Sequence, residues 1–202
     1  MCRLPKADLL VYESKSAFNF RVHARRNLSY YSQFYSYYFM RDVYRWDARF
    51  LAMARHISSW SKDPSTQVGA VAVRERRVLA TGYNGFPQGL SDFPTRLHNR
   101  SEKLLRTVHA EANIVAQAAC NGVSLKNSTI YVWPFSPCNS CCTLLLQAGF
   151  QRVVAPNLPI PDRWADSFNL SKDMFRECGV DFTLIDPYLV ELHTCSQKDE
   201  SS

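Results

Sequence analysis

No apolar run in this chain approaches the roughly 18 residues that a membrane-crossing helix needs, and the amino terminus lacks the compact apolar segment of a secretory signal. The expectation is therefore a soluble, cytoplasmic chain. Acids are scarce at one end: residues 1–45 hold eight Lys or Arg against three Asp or Glu, which is +5 of the total +6. The remainder is close to neutral, so the electrostatic case for a polynucleotide partner is weak in the folded part. Internal repeats and low-complexity tracts are missing elsewhere, and 202 residues with 46% apolar composition suit one domain with a buried core. Seven cysteines make an odd set for a secreted disulfide framework. In a reducing compartment, a closely spaced pair with a nearby histidine reads more readily as a metal or catalytic site.

Residues 1–45 differ from the rest of the chain, with "YYSQFYSYYF" and "FRVHARRN" showing no clean period. Three readings stay open for this extension: a disordered or loosely docked segment, an organelle transit peptide, or a leader upstream of a start at Met40. From Trp46 the residues Phe50, Met53, Ala54, Ile57 and Trp60 recur at helical spacing and predict an amphipathic helix. "VGAVAV" and "RVLATGY", separated by "RERR", predict a hairpin, and "NGFPQGLSDFP" is turn chemistry. A polar, partly helical segment leads to Val108. Beyond it "HAEANIVAQAA" reads as a helix ended by Gly122, "STIYVW" as a strand, "NSCCTLLLQAG" as a helix closed by Gly149, and "QRVVAP" as a strand. "WADSFNLSKDMFRECG" and "VDFTLID" read as a last helix and strand. Such alternation predicts a layered α/β domain over residues 46–186, with a polar tail over 187–202.

The chemistry concentrates in residues 108–142, where His109 and Glu111 are followed by Pro137, Cys138 and Cys141. Catalytic zinc takes three protein ligands and keeps a fourth position open, and His109, Cys138 and Cys141 supply that number. A CxxC at a helix start puts both sulfurs on one side of the first turn, where the dipole favours thiolate, and Pro137 fixes the entry. Cys142, the obvious fourth ligand of a closed structural site, is turned about 100° from Cys141 on a helix and is expected to face the core. Glu111 can stand beside the ion without ligating it, as a proton shuttle needs. Zinc brings the pKa of a bound water towards about 7, and Glu111 would move its proton to a ring nitrogen and then to the departing amine. HxE followed by PCxxC is the signature of the zinc nucleobase deaminases.

Residues 46 to about 186 resemble the cytidine and deoxycytidylate deaminase family, and more closely its deoxycytidylate (dCMP) branch. "SKDPSTQVGA" (61–70), "GYNGFPQG" (82–89), "HAEAN" and "LLLQAG" (144–149) carry the resemblance. It implies a three-layer cytidine-deaminase-like α/β fold, with a central mixed sheet of about five strands between helices. It implies zinc on His109, Cys138 and Cys141, Glu111 as proton donor, and hydrolysis of dCMP to dUMP with release of ammonia. Asn84 matches a position that contacts the nucleotide, and Ser61, Lys62, Thr66 and Gln67 resemble the segment lining the pocket mouth. Lys62 is the candidate for the 5′-phosphate, and Ser136 joins the substrate contacts. The resemblance further implies a homo-oligomer, hexamer or dimer, and dCTP or dTTP as effectors acting through residues 85–107. Trp133 and Phe135 in "WPFSPC" depart from family habit and bear on the base pocket. Free cytidine or deoxycytidine, a base in tRNA or single-stranded DNA, and a zinc-bound subunit without turnover remain as alternative functions.

Overall fold

The computed structural model describes residues 45–195, with side chains to residue 191; the extension expected over residues 1–45 and the last residues lie outside that range but for Arg45. Helix α1 covers residues 45–58. Phe50, Leu51, Ala54 and Ile57 are buried along it, and the buried face centres between Phe50 and Leu51, which leaves Met53, expected in the apolar stripe, at its edge and 39% exposed. Trp60 falls beyond the last turn and stays half-exposed, edge-on to His56 and Tyr83.

Strands β1 (Gly69–Arg74) and β2 (Arg77–Tyr83) form the expected antiparallel hairpin. Its two connecting residues, Glu75 and Arg76, have φ of 52° and 63°, the left-handed pair that a two-residue hairpin turn of matching twist requires. Two short helices come next, α2 (Pro94–His98) and α3 (Arg100–Arg106), then α4 (Ala110–Cys120), β3 (Thr129–Trp133), α5 (Asn139–Gln147), β4 (Arg152–Pro156), α6 (Asp162–Glu177) and β5 (Asp181–Ile185). Gly122 and Gly149, at φ of 65° and 81°, stand just past α4 and α5 where a left-handed residue ends a helix. The sheet runs β2-β1-β3-β4-β5, antiparallel across the first three strands and parallel across the last three. A polar tail was expected from residue 187; Pro187–Cys195 instead forms helix α7, with Val190 fully buried.

Alternate residues of the strands serve two cores, because successive side chains point to opposite faces of a sheet. Ala70, Ala72, Ile130, Val132 and Val153 pack against Ile114 and Ala118 of α4, Cys142 and Leu145 of α5 and Phe175 of α6. Val71, Val73, Tyr131, Val154 and Ile185 pack against Phe50, Leu51, Ala54 and Ile57 of α1 and Val190 of α7. This is the three-layer mixed-sheet architecture read from the sequence. A polar clasp ties α1 to the sheet: Arg152 donates two hydrogen bonds of 2.8 Å to the buried Asp47 carboxylate, which also accepts one from the Tyr131 hydroxyl.

One residue sets how closely α4 lies on the hairpin. A Cβ at Gly82 would fall well inside contact distance of the Ala110 carbonyl oxygen and 3.1 Å from Ile114. The first turn of α4 is then fastened by a bridge between Gly85 and Val108 and by Asn113, whose amide donates to the Tyr83 carbonyl at 2.7 Å. Gly82→Ala is expected to lower stability by about 1–3 kcal/mol through overpacking, a fall of several degrees in Tm by calorimetry. An unchanged Tm would show that the helix has slack at this contact.

Candidate active site

The opening turns of α4 and α5 meet at one end of the sheet. His109 is the residue before α4, at φ −71° and ψ 156°, and Cys138 holds the same place before α5, at φ −70° and ψ 168°. Extended backbone at a helix entry turns each side chain across the end of its helix. Cys141 lies one turn along α5 and is buried, 2% exposed. Its sulfur is 3.4 Å from His109 Nδ1, and the sulfur of Cys138 is 3.5 Å away. All three ligating atoms lie within 4.8 Å of one another. Zn–S of about 2.3 Å and Zn–N of about 2.1 Å at tetrahedral angles place sulfur and nitrogen about 3.6 Å apart, so the three residues fit one zinc ion.

Cys142 faces the core, as helical geometry predicts, and its thiol donates to the Ser171 carbonyl oxygen at 3.6 Å. Among the described residues no fourth Cys, His, Asp or Glu joins the cluster. The chemistry of the donors agrees with a cation site. The Cys138 thiol is brought down to about 4, first by its hydrogen bond with Cys141 and further by His109, while Cys141 is pushed up by the same bond and by burial. The sulfurs thus share one negative charge, which a divalent cation would raise to two by displacing the second proton. The hydrogen bond to Cys138 raises the His109 imidazole above its ordinary range, against the effect of burial. Glu111, 4% exposed in the first turn of α4, has its carboxyl pushed up by burial, the condition that suits an acid and base near neutral pH.

His109, Cys138 and Glu111 line a cavity of about 210 Å³, with Thr66, Asn84 and Ser136 among the other lining residues. Most of the sequence-predicted contacts are thus brought together, with differences of role. Asn84 is buried, and its amide donates to the Thr66 carbonyl at 2.9 Å and accepts from the Val68 amide at 2.8 Å. It therefore holds the 61–68 loop, and keeps one N–H and one oxygen lone pair for a ligand. The Ser136 hydroxyl is the one buried side-chain N or O among the described residues with no hydrogen-bond partner. Lys62 and Gln67 are outside the lining: Lys62 is exposed and paired with Asp92 at 2.7 Å, and Gln67 donates to the Ser61 carbonyl at 2.6 Å. Trp133 also turns elsewhere, packing in the α1 core beneath the Arg55 guanidinium, 5.1 Å from its ring centre.

Phe135, read from the sequence as bearing on the base pocket, is in the lining, whereas several other lining residues escaped the sequence reading. Phe135 meets Trp164 edge-on at 5.4 Å and Phe168 at 6.2 Å, giving an aromatic wall shared by the loop before α5 and by α6. Lys103 of α3 is buried and bonds to Asp63 at 2.7 Å and to Ser65 at 3.0 Å. Burial raises the Asp63 carboxyl, but that bond and two backbone amides outweigh it and leave the group below its usual range. Arg100 of α3 and Arg163 of α6 complete the charged lining. Trp164 and Phe168 had one legible signal, their i, i+4 spacing on a predicted helix; Arg100 and Lys103 lay in a segment without a period.

With this geometry in place, the comparisons are specific. Residues 44–156 match the family profile described as the cytidine and deoxycytidylate deaminase zinc-binding region. The chain is 38% identical over 143 residues to an uncharacterized deaminase in the luxG 3′ region of Aliivibrio fischeri, spanning 70% of this chain and 94% of that one. It is 34% identical over 154 residues to a deoxycytidylate deaminase of Mus musculus, spanning 72% and 83%. A dCMP deaminase of the cyanophage S-TIM5, solved in complex with dCMP and dUMP, superposes with a TM-score of 0.56 at 26% identity, covering 68% of this chain and 94% of that one.

Removal of Cys141 and of Cys142 separates the two sulfurs. Cys141→Ala is expected to abolish zinc binding, whereas Cys142→Ala keeps about one zinc per chain and loses only stability. Metal content by atomic emission and Tm with and without a chelator check both; equal zinc loss in the two variants would put Cys142 in the site.

Proposed function

The chain belongs to the cytidine and deoxycytidylate deaminase family, and on that premise we propose that it hydrolyses dCMP to dUMP and ammonia, supplying the uracil nucleotide from which thymidylate is made. One observation carries the reading: a His, Cys, Cys cluster with tetrahedral spacing opens onto a cavity beside a buried carboxyl that is not a ligand. Related proteins named as deoxycytidylate deaminases support the choice of substrate. Described helices include none long and apolar enough to cross a membrane.

His109, Cys138 and Cys141 would hold the zinc, which when bound supplies the Lewis acidity that makes water nucleophilic at neutral pH. Glu111 takes the proton of the attacking water and delivers it to ring N3, so that C4 becomes electrophilic. As the C–N bond at C4 breaks, Glu111 takes the remaining proton from the new C4 hydroxyl, which becomes the carbonyl, and passes it to the leaving amine, so that dCMP plus water gives dUMP plus ammonia. Burial of Glu111 keeps its proton affinity high enough for both transfers. The aromatic wall of Phe135, Trp164 and Phe168 offers ring faces to the base, and the unpartnered Ser136 hydroxyl, the spare N–H of Asn84 and the Thr66 hydroxyl offer polar contacts.

Residues 85–107, read as a place for dCTP or dTTP, contribute Arg100, Lys103, Leu104 and Thr107 to the cavity; the assignment favoured for them is the substrate. A homo-oligomer belongs to the same reading, supported by Phe93 at the entry to α2 and Leu105 on α3, which stand 60% and 89% exposed.

The zinc-loaded chain is expected to release ammonia faster from dCMP than from CMP, deoxycytidine or dCTP. Glu111→Gln should keep its zinc and lose about 10²–10⁴-fold in kcat. Full turnover in that variant would remove Glu111 from the reaction, and no release from any of the four compounds would refute the substrate class.

A further inference from the structure

We propose that Arg100 and Arg163 form a two-sided clamp for the 5′-phosphate, an inference that rests on the nucleotide reading above and assigns the phosphate to residues other than Lys62. The charges that line the cavity are Arg100, Lys103 and Arg163 against Asp63 and Glu111. Lys103 is spoken for. It is 5% exposed, bonded to an Asp63 carboxylate that is 9% exposed, and the two cancel beneath the surface. Glu111 belongs to the metal end of the cavity. What remains is two guanidiniums from two separate elements, with no acid set against them.

Several arginines of the domain are, by contrast, paired with acids. Arg96 and Arg106 share Glu102, Arg152 holds Asp47 and Asp181, Arg176 holds Asp173, and Arg55 approaches Glu191. Glu102, two positions from Arg100, is thus taken by other arginines, and Arg100 makes no ion pair or hydrogen bond to a described residue. Arg163 has Asp162 beside it and Asp166 one turn on, yet pairs with neither. Its guanidinium lies over the Trp164 ring, 4.6 Å from the ring centre. Stacking fixes the plane of a guanidinium while leaving its N–H groups free, and a planar fork of N–H donors matches phosphate oxygens two at a time. Arg100 lies one turn before Lys103 and Leu104, so all three look into the cavity from one face of α3. The same cavity is thus lined by two guanidiniums as well as by His109 and Cys138, and a substrate with a reacting base at one end and a phosphomonoester at the other calls for both.

Lys62 lacks each of these attributes. It is paired with Asp92 at 2.7 Å and absent from the lining.

Binding and turnover test the clamp separately. By titration calorimetry on the full chain, dUMP is expected to bind about 10–100-fold tighter than deoxyuridine, the range for charge-assisted hydrogen bonds. Arg100→Gln and Arg163→Gln should each remove much of that difference, and the double variant all of it, with deoxyuridine affinity unchanged. Arg77→Gln, an exposed arginine at the start of β2, should behave as the unsubstituted protein. Inorganic phosphate should compete with dUMP but not with deoxyuridine. The proposal is overturned if dUMP binds no tighter than deoxyuridine, or if the substitutions weaken nucleotide and nucleoside alike. Should dUMP binding depend on both arginines while dCMP releases no ammonia, the clamp stands and the deaminase reading falls.

Discussion

The site exists because helix α4 can lie almost against strand β2, and it can do so because Gly82 has no side chain where the Ala110 carbonyl passes. His109 and Glu111 inherit this contact. His109 precedes Ala110, Glu111 comes directly after it, and the bridge from Gly85 to Val108 fixes the approach to both. A displacement of the helix here would move the imidazole and the carboxyl together, away from the two sulfurs presented by α5. The second half of the site is held in a similar way from the other side, since Ser167 of α6 accepts from the Asn139 amide at 3.1 Å and donates to its side chain at 2.8 Å. Two helix entries, each fastened by backbone-directed hydrogen bonds, are thereby aimed at one point.

Polar groups around the cavity divide into those that hold the frame and those left for a ligand. Asp63, Lys103, Ser65 and most of the Asn84 amide hold the 61–68 loop against α3 and β2. Breaking such a pair strands a buried charge, which is why it is far better suited to shape than to exchange partners with a substrate. Ser136, Arg100 and Arg163 are the opposite case, groups lining the cavity with no hydrogen-bond or ion-pair partner among the described residues. The division runs through a single loop, where Asp63 turns in to Lys103 while Lys62 turns out to Asp92.

The zinc cluster was legible from the chain because its spacing is a local property. CxxC at a helix start and HxE at another set the relative placement of side chains within a turn, and only the meeting of the two turns had to come from the fold. The hairpin and the alternation of strands and helices were legible for the same reason, as was the inward turn of Cys142. Helix α7 was not: Pro187 followed by a short mixed segment carries little period, and only Val190 reaches the core. Nor were Arg100, Lys103, Arg163 and Trp164, whose shared cavity joins elements about 60 residues apart through contacts that no local pattern encodes.

The order of the strands has a consequence for how the centre is assembled. His109 comes from the chain before β3 and the two cysteines from the chain after it, and β3 is itself inserted between β1 and β4. An ion held by all three residues would therefore staple together two helices that the chain places on either side of its middle strand, α4 before it and α5 after it.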